Sequence, residues 1–198
     1  MPIALSSLIQ KTQEDVPLLP EILSAFSCIQ DPDIETFLHE RAVKFESLSK
    51  ARTYLICDED QITQKNFCLD QLTIYGYIAL APKILSVPSE TSTNKRKKLD
   101  GLSAKIHGAP IDDFPCYLIG QLAKNSQIQN NSLSGKELLQ FSYDIITTAA
   151  DAVGGRYMMI ECHDHPKLLK FYTDNCFEEI SRMSDGESLL VQMIRPIY

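Results

Sequence analysis

The chain has 198 residues, and both its length and its composition are typical of a globular protein. Hydrophobic residues make up 44% and charged residues 23%, which excludes a disordered or fibrous protein. The net charge of -7 provides no overall positive field for nucleic acid or for an anionic membrane. We therefore expect one domain over residues 1–198 that makes no membrane contact and stays in the cytoplasm.

The six cysteines have no CxxC pair and no regular spacing. No export signal is recognisable, so we expect the thiols to be reduced and to behave as small hydrophobic groups. The sequence therefore predicts neither a disulfide nor a metal site.

The N-terminal third predicts a short strand and two helices. The strand is expected at Ile3 to Leu8. Asp15-Val16-Pro17 and Asp31-Pro32-Asp33 are typical helix starts, because proline suits the first turn and apolar residues follow at helical spacing. From Arg52 the period changes, and ARTYLICD and LTIYGYIALAP predict two adjacent antiparallel strands. Residues 88–110 are polar, include TNKRKK and lack periodicity, which predicts a long loop.

The second half alternates strands and helices. PCYLIGQLAK predicts a strand, and QIQNNSLSG predicts a polar loop before a helix over Lys136 to Val153. RYMMIEC is a further strand, Pro166 opens the short helix KLLKFYTDN, and FEEIS and SLLVQMIRP are the last two strands. This order is typical of an α/β sheet with helices packed on its faces.

The loop before the long helix is a candidate anion site. A polar loop of small residues at a helix N-terminus presents free amides and the positive end of the helix dipole, which suits a pyrophosphate. Ser134, Gly135 and Lys136 are the natural donors. On the residues alone, a capped helix start without a ligand is the alternative.

The segments YLIGQLAKN, SGKELL, GGRYMMIEC and PKLLKFYTDNCFEEI, in this order, resemble the GNAT superfamily of N-acetyltransferases. LLKFYTDNCF is similar to the late motif of that family, and the specific part of the likeness runs from Tyr117 to Ile180. The resemblance implies an α/β fold with a mixed, mostly antiparallel central sheet, a splayed parallel strand pair and helices on both faces.

The resemblance further implies an enzyme that transfers an acetyl group from acetyl-coenzyme A (acetyl-CoA) to an amine by direct attack. Acetyl-CoA would lie where the strands Tyr117–Lys124 and Arg156–Cys162 splay apart. Tyr172 would protonate the departing thiolate as a general acid. Backbone groups of the first strand would hold the pantetheine arm and the following loop the pyrophosphate, at Leu122, Ala123, Lys124, Gln129, Asn130, Ser134, Gly135 and Lys136.

Two positions depart from the family pattern. Asn130 and Gly135 fill the ends of the phosphate-loop pattern only if Leu133 replaces its middle glycine. Cys176 stands where the late turn usually has glycine. These departures leave open a non-catalytic acyl-CoA-binding or protein-interaction module of the same fold.

FSCIQDPDIETFLHERA followed by ARTYLICDED resembles the acetyltransferase toxins of bacterial toxin–antitoxin pairs, whose family substrate is aminoacyl-tRNA. Such an acceptor needs phosphate contacts, and Lys95 to Lys98 is the only dense basic run. We therefore expect the loop 88–110 to be mobile and to help choose an anionic acceptor, although the overall acidity argues against tRNA. The general base is open among Glu46, Asp58 and Glu59, and a homodimer is left open.

Cys162-His163-Asp164-His165 suggests a metal site or a Cys–His nucleophile as competing interpretations. Two histidines without a third ligand make a poor zinc site, and neighbours on a strand point to opposite faces. Surface histidines at a strand end are the simpler interpretation.

Overall fold

A computed structural model describes residues 1–11, 18–58, 61, 72–186 and 188–198. The chain forms two compact units. The first contains Met1–Ala81 and Ile119–Ile145, and the second contains Pro82–Leu118 and Ile146–Tyr198.

The helices are α1 (Leu5–Lys11), α2 (Leu18–Ser24), α3 (Pro32–Thr36), α4 (Ala42–Ser47), α5 (Thr93–Asp100), α6 (Gly135–Val153) and α7 (Pro166–Asp174), with a π-helical turn at Phe37–Arg41. The strands are β1 (Pro2–Ala4), β2 (Arg52–Cys57), β3 (Ile74–Ser86), β4 (Lys105–Ile106), β5 (Ala109–Pro110), β6 (Asp113–Lys124), β7 (Tyr157–His163), β8 (Glu178–Asp185) and β9 (Ser188–Pro196).

The main sheet is mixed and mostly antiparallel, as expected. In the first unit the strands are hydrogen-bonded in the order β1-β2-β3-β6, and in the second in the order β3-β6-β7-β9-β8, because β3 and β6 contribute residues to both. The pairs β1–β2, β2–β3, β7–β9 and β8–β9 are antiparallel, whereas β6 and β7 are parallel.

The core of the first unit forms around Tyr77 of β3, whose side chain is fully buried. Its ring packs edge-on against Phe26 at 5.0 Å, and its hydroxyl donates to the Ile34 carbonyl at 2.6 Å. The α3 start is as predicted, because Asp31 accepts a hydrogen bond from the Asp33 amide and proline occupies the first turn.

The expected strand at Ile3 to Leu8 is wrong beyond Ala4, because α1 begins at Leu5. Leu5 and Leu8 are both buried, and residues three apart share one face of a helix but point to opposite faces of a strand. The predicted helix start at Asp15-Val16-Pro17 lies outside the described residues.

The expected long loop at 88–110 is also wrong, because this segment contains α5 and the β4–β5 ribbon. Ser92 caps α5 by accepting from the Lys95 amide, and Gly101 ends it with a φ of 89°. Arg96, only 6% exposed, binds Asp112 at 2.6 Å and donates to backbone carbonyls upstream of the helix. The buried residues of this helix are Arg96 and Leu99. Because it has no apolar stripe, the hydrophobic periodicity of the sequence does not predict it.

Among the described residues, no helix is both long and apolar enough to cross a bilayer.

Candidate functional site

The candidate cofactor segment lies in the first unit, between the end of β6 and the start of α6. Leu122 is half-buried in a cluster with Leu133 and Leu138, and Ala123 is buried in the core around Tyr77. Lys124 is exposed, and its ammonium donates to the Asn131 carbonyl at 3.0 Å. Side chains of the strand end are thus committed to packing and to the loop.

Two asparagines hold the loop after β6. The backbone amide of Asn125 donates a hydrogen bond to the Tyr75 carbonyl at 2.8 Å, and the side-chain amide of Asn131 donates to the same carbonyl at 2.7 Å. The side-chain oxygen of Asn131 accepts a hydrogen bond from the Leu133 backbone amide at 3.1 Å. The backbone of Asn125 and the side chain of Asn131 therefore fix the conformation of this turn.

Leu133, which stands where the family pattern has glycine, fills a space above β3. It is 8% exposed and packs with Ile56, Ile78 and Leu138. A Cβ at Gly76 would lie 2.7 Å from the Leu133 side chain and 2.7 Å from the Ala123 oxygen. The missing side chain at Gly76 is thus what accommodates Leu133.

Ser134 and Glu137 form a capping box at the start of α6. The Ser134 hydroxyl accepts from the Glu137 amide at 3.1 Å, and the Glu137 carboxylate accepts from the Ser134 amide at 2.8 Å and its hydroxyl at 2.7 Å. These bonds, with the charge of Lys124, lower the pKa of Glu137. Ser134, expected to be a free donor, is therefore already occupied by a carboxylate.

The other expected phosphate contacts are exposed or half-exposed. Gly135 and Lys136 open α6, and their amides have no intrahelical acceptor because they belong to the first turn. Gln129 and Asn130 are exposed, and Asn130 has a φ of 55°, a conformation that asparagine tolerates. Two first-turn amides and the Lys136 cation thus fit a pyrophosphate, with Glu137 opposing it.

Tyr172 lies in the second unit on α7. Its side chain is 8% exposed and packs edge-on against Phe171 and Phe177, with ring centroids at 5.0 and 5.6 Å. Burial, and secondarily the neighbouring Cys162, raises the pKa of Tyr172 well above its usual range. The hydroxyl makes no hydrogen bond to any residue that the structure describes. At neutral pH the Tyr172 side chain is therefore an un-ionised phenol.

The Cys162–His165 segment serves the fold. Cys162 is buried, and burial raises the pKa of its thiol to about 11, so it is not a thiolate nucleophile at neutral pH. His165 caps α7 by accepting from the Lys167 amide, and Asp164 binds Arg182 at 2.6 Å. No cluster of metal-binding side chains is found within the described part of the chain.

The basic run is distributed over different tasks. Arg96 is buried, whereas Lys95 and Lys98 both lie near the Glu178 carboxylate, at 3.5 and 3.4 Å. Lys97 is exposed. The expectation that this basic run lies in an irregular loop is therefore wrong, because one arginine anchors a helix and two lysines share an acidic partner. The mobility expected of residues 88–110 stays a prediction.

Of the candidate bases, Glu46 is 5% exposed and accepts from Arg52 and from the Thr53 amide, both at 2.7 Å. Its oxygens are committed to the start of β2. Asp58 is half-buried, and Glu59 lies outside the described residues.

Sequence reasoning missed the roles of Glu137, Asn125 and Gly76. The S-x-x-E spacing of Ser134 and Glu137 is the signature of a capping box and was available in the sequence. No local sequence pattern predicts the roles of Asn125 and Gly76, because the residues that they contact are distant in the chain.

No family model and no curated protein matches the chain. Solved structures do match. A tyrosine-to-phenylalanine mutant of KacT is 20% identical with a TM-score of 0.60, covering 88% of this chain and 87% of that chain. AtaT complexed with acetyl-methionyl-tRNAfMet is 20% identical with a TM-score of 0.58, covering 85% of each chain. AtaTR bound with AcCoA is 20% identical with a TM-score of 0.60, covering 88% and 86%.

The chain has a GNAT-like fold. At these identities the likeness concerns the fold, and it extends over most of the chain rather than over the motif region alone. Within the GNAT-like fold, the loop before α6 follows β6, and Tyr172 lies on the helix that follows β7. This element order is the one that the sequence resemblance implied.

Proposed function

We propose that this protein is an acetyl-CoA-dependent N-acetyltransferase. The observation that carries the proposal is the match over 85% of the chain to AtaT, which was solved with an acetylated aminoacyl-tRNA. The structure of AtaTR bound with AcCoA has the same fold over 88% of this chain. We infer both the acetyl donor and the reaction class of this chain from these neighbours.

The proposed cofactor contacts are the backbone of Leu122 to Lys124 for the pantetheine arm and the first turn of α6 for the pyrophosphate. Support comes from the amides of Gly135 and Lys136, which have no intrahelical acceptor. Gln129 and Asn130 complete the expected loop. We expect Ser134 to contribute only when the Glu137 carboxylate moves away from its amide.

Tyr172 is the proposed general acid. Acetyl-CoA supplies an activated acyl carbon, and the lone pair of the acceptor amine forms the new C–N bond as the C–S bond breaks. The Tyr172 hydroxyl gives its proton to the departing sulfur. Burial raises the pKa of Tyr172, so the hydroxyl keeps its proton at neutral pH but is a weaker acid than an exposed tyrosine. The support for this role is therefore the position of Tyr172 on the helix after β7, not its pKa. The proton of the amine passes to a base that we leave unassigned.

The proposed acceptor is the amino group of an aminoacyl-tRNA. The support is the AtaT complex with acetyl-methionyl-tRNAfMet. The net charge of -7 and the pairing of Lys95 and Lys98 with Glu178 count against strong phosphate binding by this surface. Charge thus favours an acceptor bound through few phosphate contacts.

A thiol-release assay tests the reaction. Purified protein is incubated with acetyl-CoA and, in separate samples, aminoacylated tRNA, deacylated tRNA and small amines. We expect release of free thiol with aminoacylated tRNA and none with deacylated tRNA, which lacks the amine. Thiol release with small amines alone would keep the acetyltransferase and remove the tRNA acceptor, and no release with any amine would overturn the proposal.

A non-catalytic acyl-CoA-binding module of the same fold is the second candidate. Leu133 in place of a loop glycine and the Glu137 carboxylate at the start of α6 favour it, because both weaken a phosphate site. Binding of acetyl-CoA in a separate titration, with no thiol release in the assay above, would support this candidate.

A further inference from the structure

Asn125 joins two separate segments of the first unit. Its side chain donates to the Ala25 carbonyl at 3.2 Å and the Ile74 carbonyl at 2.8 Å. Its side-chain oxygen accepts from the Ser27 amide at 3.2 Å and the Gln127 amide at 3.0 Å. The residue is only 5% exposed, so every polar atom of this side chain is used within the protein.

The neighbouring residue strengthens the same junction. The Ser126 amide donates to the Ser27 carbonyl at 2.8 Å, and the Ser126 hydroxyl accepts from the Ile29 amide at 3.3 Å. The loop Ala25–Ile29, which connects α2 to α3, is therefore attached to Asn125–Ser126 by side-chain and backbone hydrogen bonds.

The backbone of Asn125 belongs to the proposed cofactor loop. Its carbonyl accepts from the Asn131 side chain at 3.2 Å, and its amide is bound to Tyr75. A change in the loop 125–135 moves Asn125 through these bonds, and Asn125 in turn holds the carbonyl of Ala25 and the amide of Ser27.

We infer that Asn125 is a positioning residue that couples the cofactor loop to the loop Ala25–Ile29, so that cofactor binding orders both. The inference rests on the proposed function, because it assigns the loop 125–135 to coenzyme A. Asparagine suits the task because one side chain must both donate to carbonyls and accept from amides. Aspartate has the same shape but would face the Ala25 and Ile74 carbonyls with an oxygen.

The loop Ala25–Ile29 has a second, independent anchor that supplies a matched control. The Glu35 carboxylate accepts from the Ser27 hydroxyl and the Cys28 amide, each at 2.8 Å. These bonds lower the pKa of Glu35. Because both bonds end on one carboxylate oxygen, Glu35→Ala removes them, loosens the same loop and leaves its link to Asn125 in place.

Hydrogen exchange followed by mass spectrometry, with and without saturating coenzyme A, tests the coupling. In the wild type we expect coenzyme A to slow exchange about fivefold in peptides covering 125–137 and also in peptides covering 25–30. In Glu35→Ala the exchange at 25–30 is faster without ligand, and coenzyme A still slows it. In Asn125→Asp the ligand slows exchange at 125–137 only.

A milder variant covers the case in which Asn125→Asp does not fold. Asn125→Ser removes the side-chain amide that donates to the Ala25 and Ile74 carbonyls, and the smaller side chain leaves room for water in its place. We expect this variant to fold and to show reduced ligand-dependent slowing at 25–30.

The outcomes separate the two proposals. No slowing at 125–137 in the wild type overturns the proposed function, and the coupling with it. Slowing at 125–137 with none at 25–30 in the wild type overturns the coupling alone. Equal slowing at 25–30 in the wild type and Asn125→Asp, or in Asn125→Ser if the first variant is unfolded, does the same.

Discussion

Tyr172, Glu137 and Cys176 each present a feature that the fold alone does not require. Tyr172 is a buried phenol that makes no hydrogen bond to a described residue. Glu137 places a carboxylate at the positive end of α6. Cys176 holds a φ of 68°, a conformation that non-glycine residues seldom adopt. Each feature leads to a substitution with an expected direction.

Tyr172→Phe should lower turnover by about 10² to 10⁴ with a nearly unchanged dissociation constant for acetyl-CoA, because the proton is needed as charge develops on sulfur. Thiol-release kinetics and a binding titration measure the two quantities. Tyr157→Phe is the control, because it removes a hydroxyl that binds the Lys98 carbonyl. If Tyr172→Phe is fully active, or only melts earlier, Tyr172 is a packing residue.

Glu137→Gln should bind coenzyme A about two- to fivefold more tightly, since the negative charge in the first turn of α6 opposes the pyrophosphate. Glutamine preserves the capping box, so the helix start should stay intact. The effect should shrink as salt is raised. Glu21→Gln, in the first turn of α2, is the control. Unchanged or weaker binding would contradict competition between the carboxylate and the pyrophosphate.

Cys176→Gly should stabilise the protein by about 1 kcal/mol, because glycine adopts a positive φ without the steric cost of a Cβ. Urea unfolding measures the change. Asn130→Gly is the matched substitution at a φ of 55°, and it should change stability less because asparagine tolerates this region. Equal effects at both positions would show that the strain at Cys176 is relieved elsewhere.

At the scale of the elements, α5 and α6 contrast in how they are fixed. α6 has an apolar face that includes Leu138 and Ile146, so its periodicity predicts it within one residue of its observed start. α5 is fixed by caps and by Arg96, which binds Asp112 and two backbone carbonyls. Such a helix depends on one buried cation more than on apolar burial.

Arg96→Met should therefore destabilise the protein by about 1 to 3 kcal/mol, because the Pro88 and Ser89 carbonyls lose their donor. Lys97→Ser, on the exposed side of α5, should change stability by less than about 0.5 kcal/mol. Urea unfolding of both variants provides the comparison. A neutral Arg96→Met would mean that the packing of Leu99 alone holds the helix.

The same contrast explains how far the sequence predicts this protein. Strands with an apolar run, such as β2 and β7, and the capped helix start at Asp31 are local features that the sequence itself predicts. The roles of Arg96, Gly76 and Asn125 depend on partners distant in sequence, and no local rule reveals them. In the candidate site, the sequence predicts Ser134 to be a free donor, because a ligand-binding loop and a capping box share the same residue types.

At the scale of the whole molecule, buried thiols make the free energy of unfolding depend on pH in the alkaline range. Burial raises the pKa of Cys57 to about 12 and those of Cys116 and Cys162 to about 11, from an ordinary value of 9.0. Above pH 9 the unfolded chain releases thiol protons that the folded protein retains. The unfolded state then binds fewer protons, so the free energy of unfolding falls as pH rises.

We expect this stabilisation to be complete below about pH 9 and to fall by up to about 1.4 kcal/mol per pH unit for Cys57 as the pH approaches 12. Urea unfolding at pH 8, 9 and 10, with a reductant present, measures the slope. Cys57→Ala should give a less stable protein with a shallower slope. An identical slope in both proteins would assign the pH dependence to other groups.

The π-helical turn at Phe37–Arg41 has a consequence for the ancestry of the chain. The Ala42 amide bonds to the Phe37 carbonyl, five residues back, so the turn contains one residue more than an α-helix needs. A homologue lacking that residue would run from α3 into α4 without interruption. In an alignment of relatives, a single-residue gap should therefore fall inside this helix, opposite the exposed Glu40, rather than in a neighbouring loop.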